Sequence, residues 1–328
     1  MLNTPETSPP SGTNSALKTH AVVFSEPERL SVRALDLPQP GPSDLVVDIE
    51  WTGISTGTER LLFDGTMPPF PGLAYPLVPG YESVGRVVAA GADAGFDVDQ
   101  RVFVSGANCY GDVRGLFGGA ASRLVVPADK VSPLAAHIGA EGVLLALAAT
   151  AHHAISTATV APELIVGHGV LGRLLARLVV ALGNAAPVVW EIQQARRTGA
   201  AGYRCVAPGD DERRDYRSVC DVSGDAAVID HAVPRLARGG EIVLAGFYSS
   251  RVGFEFPPAF MREASIRIAA EWQPEDLCAV SRLVHSGELS LDGLITHRAP
   301  AADAASAYRT AFRDAGCLKM VLDWSDLT

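Results

Sequence analysis

The segment ELIVGHGVLGR, from Glu163 to Arg173, determines how most of this chain is organised. A short apolar run leads into a glycine turn, and an apolar helix follows the turn. Gly167, Gly169 and Gly172 fill the pattern G-x-G-x-x-G, whose glycines allow a tight turn, close approach of the backbone to a pyrophosphate, and close packing of helix on strand. The segment therefore predicts a strand, a turn and a helix whose N-terminus faces phosphate groups.

The residues that follow this helix support a dinucleotide site over an ordinary strand–turn–helix with a surface glutamate. Residues 187–191 predict a second strand that ends in Glu191, roughly 20 residues past the last glycine, where an acid binds a ribose diol. A carboxylate accepts hydrogen bonds from a free 2′-hydroxyl and repels a 2′-phosphate, so the predicted cofactor is NAD. Arg196 and Arg197 could bind the phosphate of NADP instead, but their spacing predicts solvated helix positions.

Composition excludes several classes of function. With 328 residues the chain exceeds one typical core, so two domains are expected. A net charge of −10 argues against nucleic acid as a partner. No apolar run approaches the ~18 residues of an integral membrane segment. The five cysteines are scattered and form no C-x-x-C pair, which favours the reducing cytoplasm over a disulfide-stabilised protein.

Patterning divides the chain into four parts. Residues 1–15 are rich in Pro, Ser and Thr and predict a disordered tail. Residues 16–157 alternate apolar and polar positions between turn-rich loops, which indicates a β-rich domain. Residues 158–295 alternate strands with helices and predict a doubly wound parallel sheet. Residues 296–328 contain a helix and a strand that are expected to rejoin the first domain.

The chain resembles the medium-chain dehydrogenase/reductase family over nearly its full length. The matching segments, in the order of the family, are Pro79–Glu82 with Gly85, Arg101-Val102, Thr150–Ala154, the glycine turn, Asp221–Gly224, Gly239-Gly240 and Lys319–Leu322. The resemblance implies an α/β fold with a GroES-like β-rich catalytic domain and a Rossmann domain. It also implies a homodimer joined edge to edge through the nucleotide-domain sheets.

The differences from the family's zinc enzymes are as informative as the matches. Those enzymes carry a cysteine where Ser55 stands and a histidine where Tyr81 stands, and residues 146–153 offer no thiol as third ligand. In the region of the structural zinc lobe only Cys109 is present. Because a catalytic zinc ion needs three protein ligands and an open position, no metal is predicted.

Within the family, Gly53–Glu59, Pro79–Glu82 and Glu163–Gly169 are most similar to the branch that acts in bacteriochlorophyll synthesis. That resemblance implies NAD-dependent oxidation of the 1-hydroxyethyl group at ring position C3 of a bacteriochlorophyllide precursor to an acetyl group. The implied partner is therefore a tetrapyrrole substrate, which no periodicity or spacing identifies. Two alternatives are a zinc-free quinone or enoyl reductase that uses NADPH, and a non-catalytic nucleotide-binding protein.

Without zinc, side chains must supply the general base and the oriented hydrogen bonds. Tyr81 is the first candidate to contact the alcohol, because it replaces a ligand that would touch that oxygen; a packed tyrosine is the alternative. Glu82 could relay the proton or brace the first domain. Ser55 and Thr56 could donate to the substrate oxygen, and capping a helix is the alternative for them.

Two adjacent histidines complete the catalytic candidates. A helix would direct His152 and His153 differently, so one could face the cofactor ribose and shuttle protons. The sequence does not say which of the two faces the site and which lies at the surface or in the core; His152 is taken as the catalytic candidate. Around the cofactor, strand ends and the glycine turn supply the remaining candidates. Phe247 and Tyr248 could flank the nicotinamide, and packing in the core is the alternative for them. The predicted cofactor-binding residues are Gly167, His168, Gly169, Val170, Leu171, Gly172, Glu191, Ser223, Gly246, Phe247 and Tyr248.

Overall fold

The computed structural model describes residues 16–69, 71–248 and 250–327, so the predicted tail over residues 1–15 lies outside the described residues. The strands are β1 (Leu17–Glu26), β2 (Arg29–Leu37), β3 (Asp44–Ile54), β4 (Leu77–Val78), β5 (Ser83–Ala90), β6 (Arg101–Val104), β7 (Arg114–Gly115), β8 (Arg123–Pro127), β9 (Val131–Pro133), β10 (Leu164–Val166), β11 (Val188–Trp190), β12 (Arg204–Val206), β13 (Tyr216–Asp221), β14 (Leu236–Leu244), β15 (Ser265–Ile268), β16 (His297–Pro300) and β17 (Met320–Asp323). The α-helices are α1 (Thr58–Asp64), α2 (Leu145–Ser156), α3 (Val170–Ala181), α4 (Val228–Ala232), α5 (Phe256–Arg262), α6 (Pro274–His285) and α7 (Ala304–Arg313).

A parallel sheet of six strands occupies the middle of the chain, in the order β12-β11-β10-β13-β14-β15. Numbered along the chain within this sheet, the order is 3-2-1-4-5-6, that of the dinucleotide-binding fold. The order reverses between β10 and β13, and the glycine turn follows β10 directly. The predicted α/β class with a doubly wound Rossmann sheet is confirmed.

Alternation along the strands explains why helices cover both faces of this sheet. Side chains of successive strand residues point to opposite faces. Ile165 packs into a core with α2, α3 and α6, whereas its neighbour Leu164 packs into a separate core with α4 and α5. Both residues are fully buried, so β10 has two apolar faces, as a central parallel strand requires.

The β-rich part contains two further sheets. One has four strands in the order β2-β1-β4-β7, and the other has seven, in the order β16-β17-β3-β5-β6-β9 with β8 also paired to β3. Strand β17 runs antiparallel to β3, so the C-terminal segment completes a sheet that begins near the N-terminus. This pairing brings residues around 320 beside the end of β3, where the candidate catalytic residues follow.

A close packing contact fixes the end of β3 against the start of β5. A Cβ atom on Gly53 would lie 2.1 Å from Oε2 of Glu82, so any other residue there would displace the Glu82 side chain. Trp324 donates from Nε1 to the hydroxyl of Thr52 at 2.9 Å, which ties the segment after β17 to the same strand. These contacts hold the chain segments that carry Ser55 and Tyr81 against each other.

Candidate active site

Ser55 and Tyr81 form the centre of the site in the β-rich part. Their hydroxyl oxygens lie 2.8 Å apart, and the nearby Thr58 lowers the pKa of Tyr81. Helix α1 begins after Gly57 without a side-chain cap, so the capping alternative for Ser55 is wrong and its hydroxyl pairs with Tyr81 instead. Thr56 lies next to Ser55 and is half-buried. Thr58 was not predicted as a site residue.

The surroundings of Tyr81 keep its hydroxyl protonated at neutral pH. Phe117 packs edge-on against the tyrosine ring, with the ring centroids 5.4 Å apart. Burial raises the pKa of Tyr81, and the neighbouring carboxylate of Glu82 raises this pKa further. Tyr81 is therefore equipped to make and exchange hydrogen bonds and is not a resident phenolate base.

A buried ion pair lies directly behind the two hydroxyls. The ammonium of Lys319 lies 2.7 Å and 3.0 Å from the two carboxylate oxygens of Glu82, and it also donates to the carbonyl oxygen of Ile54 at 3.2 Å. Both side chains are almost fully buried. Burial raises the pKa of Glu82, and Lys319 opposes this effect. The ammonium thus braces the segments on which Ser55 and Tyr81 stand.

The residues at this position do not fit a zinc ion. Zinc in proteins is bound by thiolate, imidazole and carboxylate groups. Ser55 and Tyr81 offer hydroxyls, and the nearby carboxylate of Glu82 is already paired with Lys319. Across residues 16–69, 71–248 and 250–327, no group of three or more His, Cys, Asp or Glu side chains is arranged to hold a metal ion.

His152 and His153 do not diverge as the sequence predicted. Their Nδ1 atoms lie 2.6 Å and 2.8 Å from the two carboxylate oxygens of Asp276. Asp276 stands in the first turn of α6 and also accepts a bond from the backbone N–H of Gln273 in a capping box. Because an ionised carboxylate only accepts, each imidazole donates from Nδ1. Asp276, which was not predicted, makes one cluster of the two rings.

The glycine turn has the geometry that a dinucleotide site requires. Gly167 has a positive φ of 104°, and a Cβ atom on Gly172 would lie 1.9 Å from the carbonyl oxygen of Gly167. Gly169 is the N-cap of α3, and Val170 and Leu171 form the first turn of that helix. The turn therefore directs the N–H groups of the first helical turn towards the carboxyl edge of the sheet.

Glu191 lies against this turn. Its carboxylate accepts from the backbone N–H of His168 at 3.1 Å and from that of Gln193 at 2.8 Å. The guanidinium of Arg197 binds the carbonyl oxygens of Glu191 and Ile192. The acid is thus fixed at the end of β11, next to the glycines.

The prediction that the two arginines after Glu191 are solvated helix positions is wrong. Arg196 and Arg197 are half-buried in a short 3₁₀ turn, and Arg196 binds the carbonyl oxygen of Ala315. Arg173 from α3 holds the same loop through the carbonyl oxygens of Arg196 and Thr198. The loop after β11 is therefore anchored to the turn by backbone carbonyls, a feature that the charge pattern alone does not indicate.

The imidazole of His168 also helps to hold the loop after β11 against the glycine turn. It is fully buried, donates from Nδ1 to the carbonyl oxygen of Arg196 at 2.6 Å, and accepts from the hydroxyl of Tyr203 at 2.7 Å. Burial lowers the pKa of His168, so the ring is neutral in this arrangement. The side chain of His168 supports the turn from within the protein.

The ends of β13 and β14 complete the carboxyl edge of the sheet. Asp221 is buried and accepts from the hydroxyl of Ser223 at 2.7 Å and from the hydroxyl of Tyr248. Gly246 donates its N–H to the carbonyl oxygen of Asp221. Phe247, by contrast, exposes 47% of its surface. Asp221 was not predicted as a site residue, although its segment belongs to the family pattern.

The residues around Ser55 and Tyr81 and those around the glycine turn together indicate a class of protein. This class is a dehydrogenase with a hydroxyl pair in a β-rich part and a dinucleotide site at the switch point of a parallel sheet. Residues 41–136 match the model of the alcohol dehydrogenase GroES-like domain. The chain belongs to the medium-chain dehydrogenase/reductase family, and binding of a nicotinamide cofactor is typical of this family.

Individual relatives agree with this assignment. The 2-desacetyl-2-hydroxyethyl bacteriochlorophyllide A dehydrogenase of Rhodobacter capsulatus is 59% identical over 312 residues, covering 94% of this chain and 99% of the relative. The enzyme of the same name from Cereibacter sphaeroides is 57% identical over 314 residues, with coverage of 94% and 99%. An Escherichia coli alcohol dehydrogenase complexed with NADH shares the fold with a TM-score of 0.79 at 19% identity, covering 93% of this chain and 99% of that one.

Proposed function

We propose that this chain oxidises the C3 1-hydroxyethyl group of a bacteriochlorophyllide precursor to an acetyl group during bacteriochlorophyll biosynthesis. The observation that carries this proposal is the 59% identity to a bacteriochlorophyllide dehydrogenase along 99% of that relative. The site chemistry supports it, because a secondary alcohol needs a hydride acceptor and a hydrogen-bonding group for its oxygen. The enzyme is an alcohol-type dehydrogenase that acts on a CH–OH group.

The cofactor that we propose is NAD. Glu191 uses each carboxylate oxygen for one backbone N–H, which leaves lone pairs on both oxygens for ribose hydroxyls. Its negative charge would repel a 2′-phosphate. The guanidinium of Arg197 donates to two backbone carbonyl oxygens, so these donors are not available to bind the 2′-phosphate of NADP. When bound, the nicotinamide supplies the hydride acceptor.

The protein's own contribution is to hold the alcohol oxygen. Tyr81 and Ser55 present two hydroxyls 2.8 Å apart, so the substrate oxygen can join a continuous hydrogen-bond chain. Oxidation would transfer the carbinol hydride to the nicotinamide and release the hydroxyl proton to bulk water. Because burial raises the pKa of Tyr81, Tyr81 and Ser55 hold the substrate oxygen by hydrogen bonds and no stable phenolate forms. This mechanism is independent of zinc and rests on oriented hydrogen bonds.

The decisive experiment is anaerobic incubation with the 3-hydroxyethyl bacteriochlorophyllide and either NAD or NADP, following NADH absorbance and the red band of the pigment. We expect a red shift with stoichiometric NADH that survives treatment with a chelator. Reduction of an activated double bond by NADPH, with no pigment oxidation, would favour a quinone or enoyl reductase. Binding of NAD without any turnover would favour a non-catalytic nucleotide-binding protein.

We also propose that the enzyme is a cytoplasmic homodimer. Strand β15 is the last strand of the parallel sheet, and apolar side chains beside it are exposed: 65% for Phe260, 73% for Met261 and 74% for Ile268. A second copy paired along β15 would cover them. Sedimentation should give twice the monomer mass, and Ile268→Lys should give a monomer. All five cysteines are free, in keeping with a reducing compartment.

No helix of the described part of the chain combines the length and the hydropathy that a membrane span needs.

A further inference from the structure

Glu59 is a buried carboxylate that touches the backbone of the site without being part of it. The residue is fully buried in the first turn of α1. One oxygen, Oε1, accepts from the backbone N–H of Ser55 at 3.0 Å, and Oε2 accepts from the hydroxyl of Tyr308 at 2.6 Å. The side chain of the same Ser55 meets Tyr81 at 2.8 Å. Ser55 thus connects Glu59, through its backbone, to Tyr81, through its side chain.

Both contacts select the ionised form of this carboxyl group. An ionised carboxylate accepts at both oxygens, whereas a protonated one must use one oxygen as a donor. The N–H of Ser55 can only donate, so protonation at Oε1 uses a lone pair of the accepting oxygen and weakens this bond. Protonation at Oε2 requires the hydroxyl of Tyr308 to reverse its role. Protonation therefore weakens or reverses one of the two hydrogen bonds that hold Glu59.

The titratable groups that act on Glu59 come from three different segments of the chain. Tyr308 lies on α7, Glu82 immediately precedes β5, and Lys319 immediately precedes β17. Burial raises the pKa of Glu59 and the carboxylate of Glu82 adds to this, whereas Tyr308, the Ser55 N–H and Lys319 lower it. The pKa that results from all of these is about 7. The group thus changes its charge in the neutral range, where an ordinary glutamate is already ionised.

We propose that Glu59 is a positioning residue whose ionised carboxylate holds Ser55, and through it Tyr81, in the arrangement that binds the alcohol oxygen. This inference rests on the proposed function, since it assigns a role within that site. Activity should rise with pH as Glu59 loses its proton, because only the ionised form satisfies both donors. Glu59 itself does not touch the substrate.

The first test is the pH profile of kcat and kcat/KM for the wild type and three variants. The wild type should gain activity as the pH rises through about 7. Glu59→Gln keeps an acceptor for Ser55 but cannot ionise, so this limb should disappear. Tyr308→Phe removes a bond that lowers the pKa of Glu59, so the limb should move to higher pH. Glu212→Gln, at an exposed acid, should keep the wild-type profile.

The second test needs no turnover, and it keeps the inference separate from the proposed function. The backbone amide of Ser55 and the ring of Tyr81 should titrate together by NMR near pH 7 in the wild type, and neither should titrate there in Glu59→Gln. A Ser55 amide that titrates while Tyr81 does not would overturn the inference, as would an unchanged pH limb in Glu59→Gln. Joint titration in a protein inactive with the pigment would show that Glu59 positions the hydroxyl pair and would refute the proposed function.

Discussion

The hydroxyl oxygens of Ser55 and Tyr81 lie 2.8 Å apart, although 26 residues separate them in the chain. Neither residue alone is more than a polar side chain beside a turn. Their pairing creates a hydrogen-bond chain at the place where zinc enzymes of the family carry two zinc ligands. The predictions below test this pair, its support and the cofactor site.

Removal of the tyrosine hydroxyl should impair the chemical step more than substrate binding. Tyr81→Phe keeps the ring and its edge-on contact with Phe117 but loses the hydrogen-bond chain. We expect kcat to fall about 10²–10³-fold, as for loss of one oriented donor, with a smaller change in KM. Steady-state kinetics with the hydroxyethyl pigment measure both. Unchanged kinetics would mean that Tyr81 only packs beside the turn.

The buried ion pair should be far more sensitive to substitution than an exposed pair of equal length. Lys319→Met leaves Glu82 charged and unpaired inside the protein, so the free energy of unfolding should fall by about 3–5 kcal/mol. Adding Glu82→Gln to that variant removes the isolated charge and should recover much of the loss. Denaturant titration gives these values.

The matched control is the exposed pair of Arg29 and Glu26, whose nitrogen–oxygen distance is also 2.7 Å. Arg29→Met should change the free energy of unfolding by no more than about 1 kcal/mol, because water screens exposed charges. Equal losses in the free energy of unfolding for Lys319→Met and Arg29→Met would mean that the buried ion pair stabilises the protein no more than an exposed one.

Asp276 should make stability depend on pH at the acidic end. Burial by itself raises the pKa of Asp276, but the backbone N–H of Gln273 and the two histidines together outweigh it and lower this pKa below its usual 3.8. The carboxylate therefore contributes stability that is present above that value and is lost as the pH falls through the lower pKa of the folded state. Asp276→Asn should be less stable than the wild type at neutral pH, and this difference should shrink on acidification. Unfolding curves at several pH values would contradict this if the difference stayed constant.

Replacing the acid next to the glycine turn should relax the choice of cofactor. Glu191→Gln removes the negative charge that faces the ribose but keeps the acceptor for the His168 N–H. We expect the ratio of kcat/KM for NAD over NADP to fall at least about tenfold, which corresponds to ~1.4 kcal/mol. Asp210→Asn, at an exposed acid of the same part of the chain, should leave the ratio unchanged. An unaltered ratio in Glu191→Gln would place the selectivity elsewhere.

Local patterns predicted what local interactions determine. The glycine turn, β10, α3 and the position of Glu191 follow from neighbouring residues, because strand, turn and helix lie within one short segment. Asp276 shows the limit of such reasoning: it lies 124 residues from His152, and no spacing rule connects them. The side chains of adjacent helix residues point in different directions, yet one carboxylate can accept hydrogen bonds from both. That convergence is a property of the tertiary structure.

Glu82 was predicted as a possible brace of the first domain, but its partner Lys319 was missed for the same reason. Lys319 reaches Glu82 across 237 residues because β17 pairs with β3, and sheet pairing over such distances has no local signal. Ser55 offered two uses, a helix cap or a substrate contact, and the choice depended on Tyr81 being within reach. The available hint was a lysine inside the apolar run from Leu318 to Leu322, since buried lysines are rarely unpaired.

Two glycines of the turn should respond differently to the same substitution. A Cβ atom on Gly172 would meet the carbonyl oxygen of Gly167 at 1.9 Å, so Gly172→Ala must distort the turn and lower stability. At Gly169 a Cβ atom would find nothing within 4 Å, and the φ of −72° suits alanine. Gly169→Ala should therefore fold with unchanged stability. If a pyrophosphate approaches the backbone there, the added methyl group lies in its path, and the Kd for NAD should rise at least about tenfold. Calorimetric titration and thermal unfolding of both variants separate the effects, and unimpaired binding by Gly169→Ala would mean that the cofactor does not approach this residue.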